Sequence, residues 1–244
     1  YVGLENYVSL LRNREFLNSI VTTATFMLGA ITLEFLLGMG LALLLAHDLR
    51  GKRIYRSMIL LPMMCTNVVV GLTWRLLYNY EYGSINYVLK LLNAPPVAWL
   101  SDTSVVMVAV ILVDVWNTSS FVALLLLAGL QSLPEEPFEA ARIDGASAWQ
   151  RFQYLTLPLL RPTILVALLW RIIDTFRIFD VIYLLTAGGP ARLTETVSIY
   201  VYRYGFQVFD LGFAAAASYT MIFIMLIIAL LLARMIGRTS NAQS

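Results

Sequence analysis

From Leu17 to Ala46 the chain carries a single charged side chain, Glu34. About 20 apolar residues in helical form cross the hydrocarbon core of a bilayer, so this stretch predicts a long or tilted membrane span. Four more stretches read the same way, at about Ser57–Leu77, Thr103–Leu130, Thr163–Leu185 and Phe213–Ala233. The whole chain is 59% hydrophobic and 13% charged, with a mean hydropathy of +0.76. Soluble domains hold roughly 25% charged and about 45–50% apolar residues. These numbers predict an all-α, multi-span membrane protein. The net charge of +2 says little about partners, because in such proteins the position of basic residues between spans carries the information.

The polar segments set the topology. Residues 1–16 read as a short amphipathic helix on a membrane surface. The chain begins at Tyr1 without Met, which leads us to expect a preceding segment. A basic run follows the first span, with Arg50, Lys52, Arg53 and Arg56, and Pro62 is expected to kink the second. Tyr78 to Asp102, rich in Tyr, Asn, Pro and Trp, reads as an interfacial segment with a short lateral helix. A Gly/Pro loop at Ala187–Thr196, expected to be flexible, precedes a Tyr-rich amphipathic piece. Basic residues near span ends favour the cytoplasm. Placing the 50–56 loop, the 131–161 loop and the C-terminal tail inside puts nine basic residues there and five on the opposite face. The N-terminus then lies outside, which predicts six spans in the full protein, five of them here.

Charge inside a span is costly, about 2.5–3.5 kcal/mol on insertion scales, so such groups face a bundle interior or a cavity. Arg171, Asp174, Arg177 and Asp180 alternate in sign every three residues, and each neighbouring pair has ion-pair spacing on a helix. Two readings stay open for them: a polar wall of a translocation path, or mutual neutralisation that fixes packing. For Asp180 the second is favoured. Asp114, Asn117, Thr118 and Ser120 offer the carboxylate, amide and hydroxyls that a sugar needs, and Trp116 offers a stacking face. Inter-helix hydrogen bonding explains the same residues. Asn67, near Pro62, reads as marking an unwound site. Glu34 is expected to face another subunit or Arg75.

The longest amphiphilic interruption runs from Glu139 to Pro162. Pro134 with Glu135 and Glu136 suits a helix start, and Asp144-Gly145 signals a turn. Ala146–Tyr154 is expected to form a second helix, capped by Asp144 and stopped by Pro158 and Pro162. The result is a helix–turn–helix lying under the membrane, with small residues at Ala140, Ala141, Gly145 and Ala146. As residues alone, this is either an interfacial connector or a docking surface.

Glu139-Ala140-Ala141, Asp144-Gly145-Ala146, Phe152, Leu157-Pro158 and Pro162 resemble the EAA loop of permease subunits of binding-protein-dependent ABC importers. VGLENYVSLL near the N-terminus and Thr175–Phe206 resemble the sugar-importing, MalF-like branch, without a large insertion between spans. The resemblance implies a polytopic helical bundle of the type I ABC importer permease kind, forming a single transmembrane domain over 1–244 with a cytoplasmic coupling loop at 131–161. It implies that Glu139, Ala140, Ala141, Asp144, Gly145 and Ala146 dock an ATPase, with Phe152 and Leu157 anchoring the loop to the spans. The substrate path would draw on Asp114, Trp116, Asn117, Ser120, Arg171 and Asp174. The implied partners are a second, MalG-like permease, two ATPase subunits that carry ATP and Mg, an extracytoplasmic solute-binding protein, membrane lipid and a carbohydrate. No nucleic acid and no cofactor in this chain are implied, and the implied location is a bacterial or archaeal cytoplasmic membrane.

The sequence has no GxxxxGK[ST] phosphate loop. One His and one Cys give no nucleophilic or metal-binding set. A non-catalytic transport subunit fits these absences. The competing reading is a proton-coupled secondary transporter that uses intramembrane carboxylates such as Asp114 and Asp174.

Overall fold

Asn13 starts the first span. Its Oδ1 accepts hydrogen bonds from the N–H groups of Glu15 and Phe16, at 2.8 and 3.2 Å, and so caps α2, Arg14–Ala46. A short helix, α1 (Glu5–Arg12), precedes it. The buried residues of α2 are Phe16, Ser19, Thr23, Phe26, Ala30, Glu34, Gly38, Ala42 and Leu45. They recur every three or four positions and form one stripe. That stripe packs on α6 (Val106–Gln131), the most enclosed of the long helices. Small residues permit the close approach: a Cβ on Gly38 would sit 2.8 Å from Val122 Cγ1 and 3.2 Å from the Ala123 backbone nitrogen.

The computed structural model describes residues 3–47 and 51–241, with the side chains at 52, 53, 56 and 236–241 outside that description. Tyr1, Arg50 and the side chains of Lys52, Arg53, Arg56 and Arg238, used above for topology, therefore lie outside the described residues. Among the described residues every element is helical. Four helices are long and apolar enough to cross a membrane, or five spans if one bent pair is counted.

That bent pair departs from expectation. The second span is broken rather than kinked: α3 (Lys52–Met64) and α4 (Asn67–Leu77) meet at 99°. The break is at Cys65 and Thr66, which are extended with ψ of 137° and 146°, three residues beyond Pro62. Pro62 sits in the last turn of α3, where it leaves the chain free to turn away afterwards.

The segment between the second and third long spans is held by one amide. Asn86, on α5 (Ser84–Leu91), donates to the carbonyls of Tyr80 and Val97 at 3.2 and 3.0 Å. Its Oδ1 accepts from Val97 N–H and Trp99 Nε1, both at 3.1 Å. Beneath it, Tyr78 donates to the carbonyl of Ala109, and burial pushes the phenol up to about 12. Asp102 accepts the backbone N–H and the hydroxyl of Ser104, which hold its carboxyl below the usual range. Replacing Asn86 with leucine strands the Val97 and Trp99 donors, and buried unpaired groups cost about 1–3 kcal/mol each. Hydrogen exchange across 79–102 should rise by at least tenfold in that variant; exchange at the wild-type rate would contradict the assignment.

After α6 come α7 (Glu136–Ile143) and α8 (Ala148–Arg151). A π turn at Phe152–Thr156 then leads into α9 (Leu157–Phe176). From Ala148 to Phe176 the helix is continuous, 29 residues long. Pro158 and Pro162 do not stop it, contrary to expectation. The Leu157 N–H bonds to the Phe152 carbonyl, five residues back, and the widened turn accommodates the chain just before the prolines. The span also ends earlier than the expected Leu185. Arg177–Phe179 separate it from α10 (Asp180–Thr186), so Asp180 belongs to a different helix from Arg171 and Asp174.

Hydrogen bonds and ion pairs link the Gly/Pro loop to its surroundings. Thr194 Oγ1 donates to the Gly189 carbonyl and lies 2.7 Å from Thr186 Oγ1. Arg203, in the π turn after α11 (Val197–Tyr202), bridges Glu195 and Glu15 at 2.9 and 2.8 Å. Arg192 pairs with Glu15 as well. The last helix, α12 (Leu211–Asn241), is mostly exposed and packs on α9 and α1.

Candidate functional site

A cavity of about 510 Å³ opens where the second span breaks. Ligand pockets are commonly about 300–1,000 Å³, apolar-lined with a few placed polar groups. Three elements supply its polar wall. Asn67 comes from the first turn of α4, Asp114, Asn117 and Thr118 from α6, and Asp174 from α9. Arg177 and Asp180 close one end. Phe121, Trp170 and Phe179 form the aromatic part, with the Phe121 and Trp170 ring centroids 4.1 Å apart. Asn117 Oδ1 has no hydrogen-bond partner among the described residues. A buried amide oxygen without a partner costs stability unless something else supplies a donor.

Behind this wall lies an ion cluster. Arg171 is 1% exposed. Its Nε and Nη2 donate to the two oxygens of Glu34, both at 2.6 Å, in a bidentate fork. Nη2 also reaches Asp114 at 2.8 Å, and Nη1 reaches Asp174 at 3.0 Å. One guanidinium thus joins α2, α6 and α9. Glu34 therefore faces Arg171, neither another subunit nor Arg75; the latter instead donates to the Leu184 carbonyl.

Of the residues the sequence marked for a substrate path, Asp114, Asn117 and Asp174 lie on the cavity wall, and Arg171 lies behind it. Trp116 and Ser120 do not line it. Trp116 is on a different face of α6, edge-on to Trp74 at 5.5 Å, about 100° round the helix from Asn117. Ser120 is buried within the bundle. Phe121 and Trp170 were missed; Trp170 lies next to Arg171 and Phe121 one turn beyond Asn117, spacing that a helical projection exposes.

The loop after α6 is built around its turn. Gly145 has φ +77° and follows the end of α7. Its N–H bonds to the Arg142 carbonyl, and the Ala146 N–H to the Ala141 carbonyl, which is the Schellman pattern. Ser147, not Asp144, caps the second helix: Ser147 Oγ accepts from Gln150 N–H while Gln150 Oε1 accepts from Ser147 N–H. The reason is register, since a cap accepts from the third residue after it. Pro137, rather than Pro134, occupies the first turn of α7. Glu139, Ala140, Ala141, Asp144, Gly145 and Ala146 are all on or beside this turn. Beside it, Ile143 is 86% exposed and Trp149 67%, two apolar side chains that the sequence did not mark.

A family model described as the binding-protein-dependent transport system inner membrane component matches residues 34–240. This chain belongs to that family. Family members are transport subunits, and the apolar helices described above make this one a multi-pass membrane protein. Its relatives include the trehalose/maltose transport system permease protein MalF of Thermococcus litoralis, 43% identical over 89% of this chain and 74% of that one. The sn-glycerol-3-phosphate transport system permease protein UgpA of Agrobacterium fabrum is 36% identical over 94% and 78%. Among solved structures, the bacterial alginate ABC transporter in complex with alginate pentasaccharide-bound periplasmic protein has a chain with TM-score 0.87 and 26% identity, covering 98% of this chain and 84% of that one. The type I ABC importer permease fold expected from the EAA-like loop is the fold observed.

Proposed function

We propose that this chain is one permease half of an ATP-driven importer whose cargo is a carbohydrate, in the class of mono- and disaccharides, polyols and glycerol 3-phosphate. The observation that carries the reading is the cavity at the broken span. Asp114 and Asp174 accept hydrogen bonds from cargo hydroxyls. The Asn117 amide on the cavity wall can donate to a cargo oxygen. Phe121 and Trp170 lie against the C–H face of a sugar ring. The sugar-related names of relatives support the same class.

A second, MalG-like permease would complete the path, an extracytoplasmic binding protein would deliver cargo, and two ATPase subunits would dock on the 131–161 loop. That loop then faces the cytoplasm, and the chain resides in a bacterial or archaeal cytoplasmic membrane. ATP and Mg bind the ATPase subunits, and this chain carries no cofactor. In docking, the rigid α7–Gly145–α8 turn presents Glu139, Ala141, Ile143 and Trp149 to the partner, with Glu139 as the charged contact and the two exposed apolar groups as anchors.

The assembled importer in proteoliposomes should take up sugar only with ATP and the ATPase subunits present. Uptake by this chain without an ATPase, collapsed by an uncoupler, would overturn the reading in favour of proton coupling. In the complex, Asn117→Ala should raise the cargo concentration for half-maximal ATPase stimulation roughly three- to tenfold, the worth of one hydrogen bond. An equal fall in basal and stimulated hydrolysis would assign Asn117 to packing.

A further inference from the structure

We infer that the cavity selects uncharged cargo and turns away phosphorylated, sulfonated or carboxylated sugars, with Asp180 and Asp174 as the residues that set this preference. The inference rests on the reading of the cavity as the cargo site.

The charged residues on the cavity wall are Asp114, Asp174, Asp180 and Arg177, three acids against one base. Arg171 does not alter this balance in favour of anions. It is 1% exposed, and four of its bonds run to Glu34, Asp114 and Asp174. A guanidinium has five N–H donors, so almost none of its capacity remains for cargo. Arg177 is paired to Asp174 Oδ1 at 3.3 Å. Asp180, in the first turn of α10, has no ion-pair partner among the described residues and faces the cavity exposed. Even with Glu34 left out, three carboxylates stand against two guanidiniums, and with Glu34 four stand against two. Carboxylates accept hydrogen bonds from sugar hydroxyls and repel anionic groups, and a partly desolvated site amplifies the repulsion. The names of relatives fall on both sides, trehalose and maltose being neutral and glycerol 3-phosphate and alginate anionic. The fold alone therefore does not decide, and the charge that this chain contributes to the wall favours neutral cargo.

The test uses the assembled importer in lipid nanodiscs without its binding protein, so that only the membrane site is probed. Direct binding is measured for matched pairs: glucose and glucose 6-phosphate, trehalose and trehalose 6-phosphate, glycerol and glycerol 3-phosphate. A neutral member should bind on the order of tenfold tighter than its phosphorylated partner, with the gap shrinking as salt rises. Asp180→Asn should narrow the gap about threefold by tightening the phosphorylated partner, with Asp174 holding the remainder, whereas Asp180→Glu keeps the wild-type ratio. Equal affinities within every pair, or a salt-independent ratio that Asp180→Asn leaves unchanged, would overturn the selection and leave the cargo site standing. Absence of binding by any sugar would overturn the cargo reading, and the selection with it. Should Asp180→Asn fail to fold, the salt titration of the wild-type ratio decides.

Discussion

Arg171→Met is expected to lower the melting temperature of the solubilised protein by roughly 10 °C, the equivalent of about 3–5 kcal/mol. Arg171 is the only cation bonded to Glu34 and Asp114 among the described residues, and both carboxylates are buried. Without it, α2, α6 and α9 must pack around uncompensated negative charge. Buried ion pairs add little over an apolar substitute, but removing one partner is costly. The triple variant Arg171→Met with Glu34→Gln and Asp114→Asn should therefore recover most of the loss. A single Arg171→Met variant that melts with the wild type would show that the cluster ties nothing together.

Gly145→Trp should abolish co-purification of the ATPase while the permease still reaches the membrane and folds. Gly145→Ala separates the two causes. At φ +77° any Cβ is strained by about 1–2 kcal/mol, but a Cβ here meets no atom within 4 Å. Strain is thus common to both variants, and only tryptophan fills the open space a docking partner needs. Loss of association that is equal for alanine and tryptophan would point to a distorted turn instead. Full association and transport with tryptophan would remove Gly145 from the interface.

Legibility in the sequence followed the range of the interactions. The first span and the central span were readable because α2 and α6 are long and predominantly apolar, with few charges, and their observed ends lie within a few residues of those expected. The Gly145 turn was readable because a positive φ favours glycine. The Glu34–Arg171 pair was not, since its members are 137 positions apart and no local pattern joins them. The ion-pair spacing of Arg171, Asp174, Arg177 and Asp180 was visible, yet it assumed a helix that in fact ends at Phe176, where no glycine or proline marks the stop. The two prolines misled in the opposite direction. They signal a break in water, but the π turn before them lets the helix pass through. Trp116 shows a further limit: a stacking ring was available by composition, but its direction depends on which face of α6 turns toward α9.

The unbroken helix from Ala148 to Phe176 gives the molecule a mechanical property. At 1.5 Å per residue, the 23 steps from the loop end at Ala148 to Arg171 make a rod of roughly 35 Å. A rod tilted by about 10° displaces its far end by roughly 6 Å, several times the tolerance of a hydrogen bond. With a stop at Pro158, a push on the loop would be absorbed at a hinge. With the prolines inside the helix, one continuous element runs from the loop to Arg171 and Asp174, so the element that leaves the loop also forms part of the cavity wall.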